Sequence, residues 1–132
     1  MKKIIASAFL ASFGFATVAL AADPNLPPAS SKSGVTYATD IKPLFDATCL
    51  NCHDSKKPKI AAKLALDTLE GTIKGARDGK VVTPGDSAHS KLVLSIAHVG
   101  NPDTFMPKGK GAKKLTDDQI GLIRAWIDQG AK

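Results

Sequence analysis

The chain has 132 residues, 43% of them hydrophobic and 23% charged, with two cysteines and a formal net charge of +6. One domain follows from the length, and a mean hydropathy of −0.04 excludes both a polytopic membrane protein and wholesale disorder. Two cysteines exclude a disulfide-rich scaffold and a four-cysteine zinc site.

Residues 1–22 read MKKIIASAFLASFGFATVALAA. Lys2 and Lys3 precede an apolar run, and Ala19-Leu20-Ala21 supplies the small-x-small pattern of a signal-peptide cleavage site. The run, from Ile4 to Leu20, is broken by Ser7, Ser12 and Gly14 and is marginal for a membrane span. The expectation is cleavage after Ala21 or Ala22, export to the periplasm and no stable membrane span thereafter; a retained anchor is the alternative. Processing removes two lysines and no acid. It leaves roughly 110 residues, enough for a small core, with only Tyr37, Phe45, Phe105 and Trp126 as aromatics. So small an aromatic complement would gain from a large apolar prosthetic group.

Residues 23–35 are rich in Pro, Ser and Lys without periodicity and read as a flexible linker. Residues 36–132 are then the folded domain. Asp40 is placed to cap a helix with Pro43 in its first turn and Leu44, Phe45 and Thr48 on one face. That helix leads into Cys49-Leu50-Asn51-Cys52-His53 and a basic loop with Lys56, Lys57 and Lys59. Asp67-Thr68-Leu69-Glu70 predicts a short capped helix ending at Gly71 or Gly75. Asp86 or Ser87 is placed to cap a helix carrying Leu92, Val93, Ile96 and Ala97. Residues 100–114 lack an apolar period and read as a loop. Thr116-x-x-Gln119 predicts a capping box for a last helix with Ile120, Ile123, Trp126 and Ile127 on one face, stopping near Gly130. The class is all-α, with about four short helices.

Both cysteines fall in Cys49-x-x-Cys52-His53, the attachment signal for c-type haem. Two thiols one helical turn apart can add to the two vinyl groups on one porphyrin edge, and the next residue brings an imidazole to the iron. Cys49 and Cys52 are thus the candidate thioether sites of one covalently attached haem c, with His53 as proximal ligand. A disulfide oxidoreductase uses the same pair on a βαβ background, but no strands are predicted here. A zinc site needs four ligands, and His89 and His98 lack paired spacing. A structural disulfide across so small a loop would constrain the unfolded chain little.

Haem in electron carriers commonly takes His and Met. Once the leader is removed Met106 is the sole thioether, in Thr104-Phe105-Met106-Pro107-Lys108 on the loop before the last helix. A Met filling a core gap is the alternative use. His98 is the competing distal ligand, which would make a bis-His haem; His89, among polar residues, is the weaker candidate.

With these pieces in place the chain resembles the small class I-like cytochromes c, and more narrowly the cytochrome c domains of planctomycetes and related bacteria. The matching residues are Asp40-Ile41-Lys42-Pro43-Leu44-Phe45, Cys49-x-x-Cys52-His53, Leu66-Asp67-Thr68, Thr83-Pro84-Gly85-Asp86, Ser90-x-Leu92, Met106-Pro107, and Leu115-Thr116-x-x-Gln119-Ile120-x-x-Ile123-x-x-Trp126-Ile127-x-x-Gly130-Ala131. The resemblance covers about residues 36–131. It implies Cys49 and Cys52 as thioether sites, His53 and Met106 as axial ligands, and Leu44 and Phe45 of a first helix crossing Ile123, Trp126 and Ile127 of the last, all wrapped round the haem. Where such domains often carry two prolines after the Met, Lys108 replaces the second.

The resulting expectation is a periplasmic mono-haem cytochrome carrying single electrons between redox protein partners, not an enzyme in itself. The alternatives are the haem subunit of a periplasmic oxidoreductase and a haem-based sensor. Lysines 56, 57, 59 and 63, with 108, 110, 113 and 114, would steer an acidic partner if they surround the haem edge; otherwise they are a solvated surface. Nucleic acid is not an expected partner, because no aromatics interleave with the lysines.

Overall fold

A computed structural model describes residues 23–132; the expected leader, residues 1–22, lies outside the described residues. The described residues form five α-helices and no β-strand, with a single isolated bridge between Ala76 and Gly79. The helices are α1 (Lys42–Thr48), α2 (Leu50–His53), α3 (Leu69–Lys74), α4 (Lys91–Ala97) and α5 (Asp117–Asp128). The all-α expectation holds, with five helices rather than four. Among the described residues no helix is long and apolar enough to cross a membrane.

Local chemistry accounts for the helix starts, not always as expected. Asp40 does not cap α1. A π-helical turn, Tyr37–Ile41, precedes α1 and is capped by Thr36, whose hydroxyl accepts from the Thr39 amide. The Asp40 carboxylate instead accepts from the Thr36 amide at 3.0 Å and pairs with Lys32. Pro43 sits in the first turn of α1, where a missing N–H costs nothing. Thr68 caps α3, which Gly75 ends with φ +91°. The cap of α4 is Ser90, not Asp86 or Ser87. The reason is that Asp86 serves a turn of its own: its carboxylate accepts from the His89 amide at 3.1 Å and contacts the His89 ring at 2.9 Å. The α5 capping box forms as expected, with reciprocal bonds between Thr116 and Gln119.

The core is centred on α5. Trp126, Ile123, Ile127, Phe45 and Ile41 are the largest fully buried side chains. The first and last helices are linked through the π-helical turn: the Tyr37 ring lies 5.9 Å from Trp126 and 6.2 Å edge-on to Phe45. Leu44 stays half-buried. A polar clamp fixes the turn before α4 to α5. Ser87, fully buried, donates from its amide and hydroxyl to the Asp128 carboxylate at 2.8 and 3.0 Å, and accepts from Arg124 Nε at 3.0 Å.

Residues 23–35 are not a free tether. They run along α5 as a strap: Leu26 is buried, Arg124 donates to the Pro27 carbonyl, and the Ser30 amide donates to the Gly121 carbonyl at 2.9 Å. Gln129 holds both the Lys32 carbonyl and the Val35 amide. Gly121 is required there, because a Cβ would meet the Pro28 carbonyl oxygen at 2.7 Å. The strap has no periodicity because α5 and its C-cap Gln129, not its own pattern, satisfy much of its backbone.

Candidate haem-attachment site

Cys49, Cys52 and His53 share one turn. Cys49 ends α1, and its carbonyl accepts from both the Cys52 and the His53 amides at 3.1 Å. Neither cysteine is in a disulfide; Cys49 is half-buried and Cys52 exposed. Burial pushes the Cys49 thiol up to about 11. That is the opposite of the lowered value a C-x-x-C oxidoreductase needs in its attacking thiol. A half-buried, undissociated thiol beside an exposed one suits attachment of an apolar group across the turn.

His53 is buried and oriented. Its Nδ1 lies 3.0 Å from the Leu64 carbonyl. A carbonyl only accepts, so Nδ1 carries the proton, and Nε2 is the lone-pair nitrogen available to a metal. Donation of this kind fixes ring orientation and raises ligand basicity. The segment supplying that carbonyl is itself held. The Leu66 amide donates to the His53 carbonyl at 2.7 Å, and the Tyr37 hydroxyl donates to the Leu66 carbonyl at 2.8 Å. Ser55 closes the loop after His53 by donating from its amide and hydroxyl to Asp67 at 3.0 and 2.5 Å. These bonds hold the Asp67 carboxyl below its ordinary value, the Ser55 hydroxyl contributing most.

Met106 is half-buried and packs against the edge of the core. It is tied to α4 rather than to the turn carrying Cys49, Cys52 and His53: its amide donates to the Ser95 carbonyl at 3.0 Å, and its own carbonyl lies 2.9 Å from His98 Nε2. His98 is therefore engaged with the Met106 backbone. His89 is exposed and paired with Asp86. Among the described residues no three His, Cys, Asp or Glu side chains gather as a metal cluster, so a zinc centre lacks its donor set. A haem needs none of that: two thiols, one oriented imidazole and a thioether are its donors, and these residues are present. Two surface depressions, of about 320 and 280 Å³, lie elsewhere, one between strap and α5 and one beside α3. Neither includes Cys49, Cys52, His53 or Met106.

The partners that orient these residues, Leu64 for His53 and Ser95 with His98 for Met106, were not readable from sequence. Two are backbone carbonyls, which leave no residue-type signal; the third is a histidine whose partner is set by tertiary folding.

Residues 49–109 match the family model described as Planctomycete cytochrome C. This stretch is thus similar to a cytochrome c domain, in line with the resemblance read from the motifs. The chain is also 29% identical over 123 residues to the hydrazine synthase subunit alpha of Kuenenia stuttgartiensis, across 74% of this chain and 15% of that protein. It thus spans a small fraction of the relative's length. No solved structure matches.

Proposed function

We propose that this cytochrome c-like domain binds one haem c through thioethers from Cys49 and Cys52, with His53 Nε2 and Met106 Sδ as axial ligands, and carries single electrons between periplasmic redox proteins. The observation that carries the reading is the turn at residues 49–53: two unpaired thiols one turn apart, followed by an imidazole whose Nδ1 is already committed to Leu64. Bound there, a haem supplies an iron centre that cycles by one electron between Fe(III) and Fe(II). The soft sulfur of Met106 favours the ferrous state, and the Leu64 bond keeps His53 a strong donor. Held by both His53 and Met106, the iron would have no position open to a substrate, and transfer to a partner would be the chain's task. The eight lysines that follow His53 and Met106 in the chain, residues 56, 57, 59, 63, 108, 110, 113 and 114, are exposed and form no ion pair with a described residue. They supply the positive charge that draws an acidic partner. Export rests on the leader at residues 1–22.

The test is mass and optical spectroscopy of protein exported by a host with haem-maturation machinery. One haem mass added, absent from a Cys49→Ser, Cys52→Ser double variant, supports attachment. A Met–iron charge-transfer band lost in Met106→Ala, with no ready carbon monoxide binding by the ferrous parent, supports the carrier. Only apoprotein mass overturns the reading. Transfer rates to an acidic partner that stay flat as salt rises overturn the steering role.

A second reading, a haem-bearing part of an oxidoreductase, is favoured by the similarity to hydrazine synthase subunit alpha. Ready carbon monoxide binding by the untouched ferrous protein would favour it over the carrier.

A further inference from the structure

His98 terminates α4 in the left-handed region, at φ +58° and ψ +44°. Histidine is among the few non-glycine residues enriched there. Its ring stacks on Phe105, with centroids 4.6 Å apart and planes 16° from parallel. Its Nε2 lies 2.9 Å from the Met106 carbonyl oxygen. An acceptor there requires Nε2 to be the protonated nitrogen, so the imidazole donates. On the other side of the same residue, the Met106 amide donates to Ser95. Both backbone polar groups of Met106 are thus held by the last turn of α4. The surrounding loop is otherwise mostly exposed, from Gly100 to Thr104 and from Lys108 to Lys114.

We propose that His98 is a positioning residue for Met106: Nε2–H donation to the Met106 carbonyl, backed by the Phe105 stack, sets the thioether in place for the haem iron. This rests on Met106 being the distal ligand. The bond also takes His98 Nε2 out of competition for the iron, since a protonated nitrogen has no lone pair, and leaves only Nδ1 with one. Ordering a loop residue costs conformational entropy. Two backbone bonds made before ligation remove part of that cost, as preorganisation does at any binding site.

The experiment compares haem-loaded parent, Met106→Ala, His98→Phe and His98→Gln. His98→Phe keeps an aromatic ring against Phe105 and deletes the donor. His98→Gln keeps an amide donor of similar reach and deletes the ring. Both place a residue without left-handed preference at the same φ, so that strain is common to the two, and they differ in which of the donor and the ring is kept. The readouts are the Met–iron band against temperature, the reduction potential and the carbon monoxide binding rate of the ferrous protein. The Met-dissociated population is expected to rise about fivefold in His98→Phe, the effect of one hydrogen bond, with a lower potential and faster carbon monoxide binding. His98→Gln should stay near the parent. A parent band that Met106→Ala abolishes but His98→Phe leaves unchanged overturns the positioning role, as does equal impairment of the Phe and Gln variants. Absence of the band from the parent overturns the Met106 assignment instead. A measurement on the unaltered protein guards against misfolding of the variants. Nitrogen-15 spectra should give His98 as the Nε2–H tautomer with an exchange-protected ring proton, and a deprotonated or iron-bound Nε2 would overturn the proposal.

Discussion

The two sides of the proposed haem site are built in different ways. The side carrying Cys49, Cys52 and His53 is five consecutive residues on one turn, and the chain that supports it leads straight into the core. Leu64 holds His53, Tyr37 holds Leu66, and Tyr37 packs on Trp126 and Phe45. The Met106 side is a mostly exposed loop whose supports on that residue come from the end of a seven-residue helix. One side inherits the rigidity of the whole domain; the other depends on a few bonds that local motion can open. A ligand pair of this kind has one fixed member and one adjustable member.

The largest expected effect breaks the fixed side at its root. Cys52→Ser should leave the chain at best singly linked, poorly folded and low in holoprotein yield, because the proposed haem would complete a core short of aromatics. Parent-like yield and melting in that variant would contradict it. Next, Trp126→Ala should cost about 3–5 kcal/mol in denaturant unfolding, the range for deleting a large buried aromatic. A loss under about 1 kcal/mol would mean that α5 does not support the residue 37–66 network. A smaller change sharpens the contrast. Tyr37→Phe removes the donor to Leu66 and should cost about 1–2 kcal/mol, while the Met–iron band stays where it was. If the band moves with Tyr37→Phe, the two sides are not independent.

The smallest effect is a pH dependence at the entrance to α1. Asp40 is held at about 2, below its ordinary 3.8, first by Lys32 and then by the Thr36 amide and Thr39 hydroxyl. A depressed carboxyl stabilises the fold above its unfolded value and loses that contribution as pH falls from 3.8 toward 2. Asp40→Asn should flatten that part of the acid-unfolding profile without moving the rest, as thermal melts between pH 5 and 2 would reveal.

Elements specified by near neighbours were legible in the sequence. The turn at residues 49–53 is contiguous. Thr116 with Gln119 announces α5, and Thr68 announces α3, because a cap and its amides lie within three residues of each other. What was not legible is tertiary. Asp40 has the composition of a cap, but Lys32 brings it to Thr36 instead, and Asp86 is diverted by His89. The strap at residues 23–35 looks featureless because its anchors, Gly121, Arg124 and Gln129, lie about ninety residues away. His98 read as a competing ligand, since no spacing rule links an imidazole to a backbone carbonyl eight residues on.

The Pro28 carbonyl occupies the space that a methyl group at position 121 would need. A shortened version of the chain beginning at residue 36 would keep both thiols, both proposed axial ligands and every helix. It would nonetheless strip the outer face of α5, leaving the Arg124 guanidinium without its Pro27 acceptor and a bare notch at Gly121. The smallest piece that contains the chemistry is therefore shorter than the smallest piece that keeps its last helix covered.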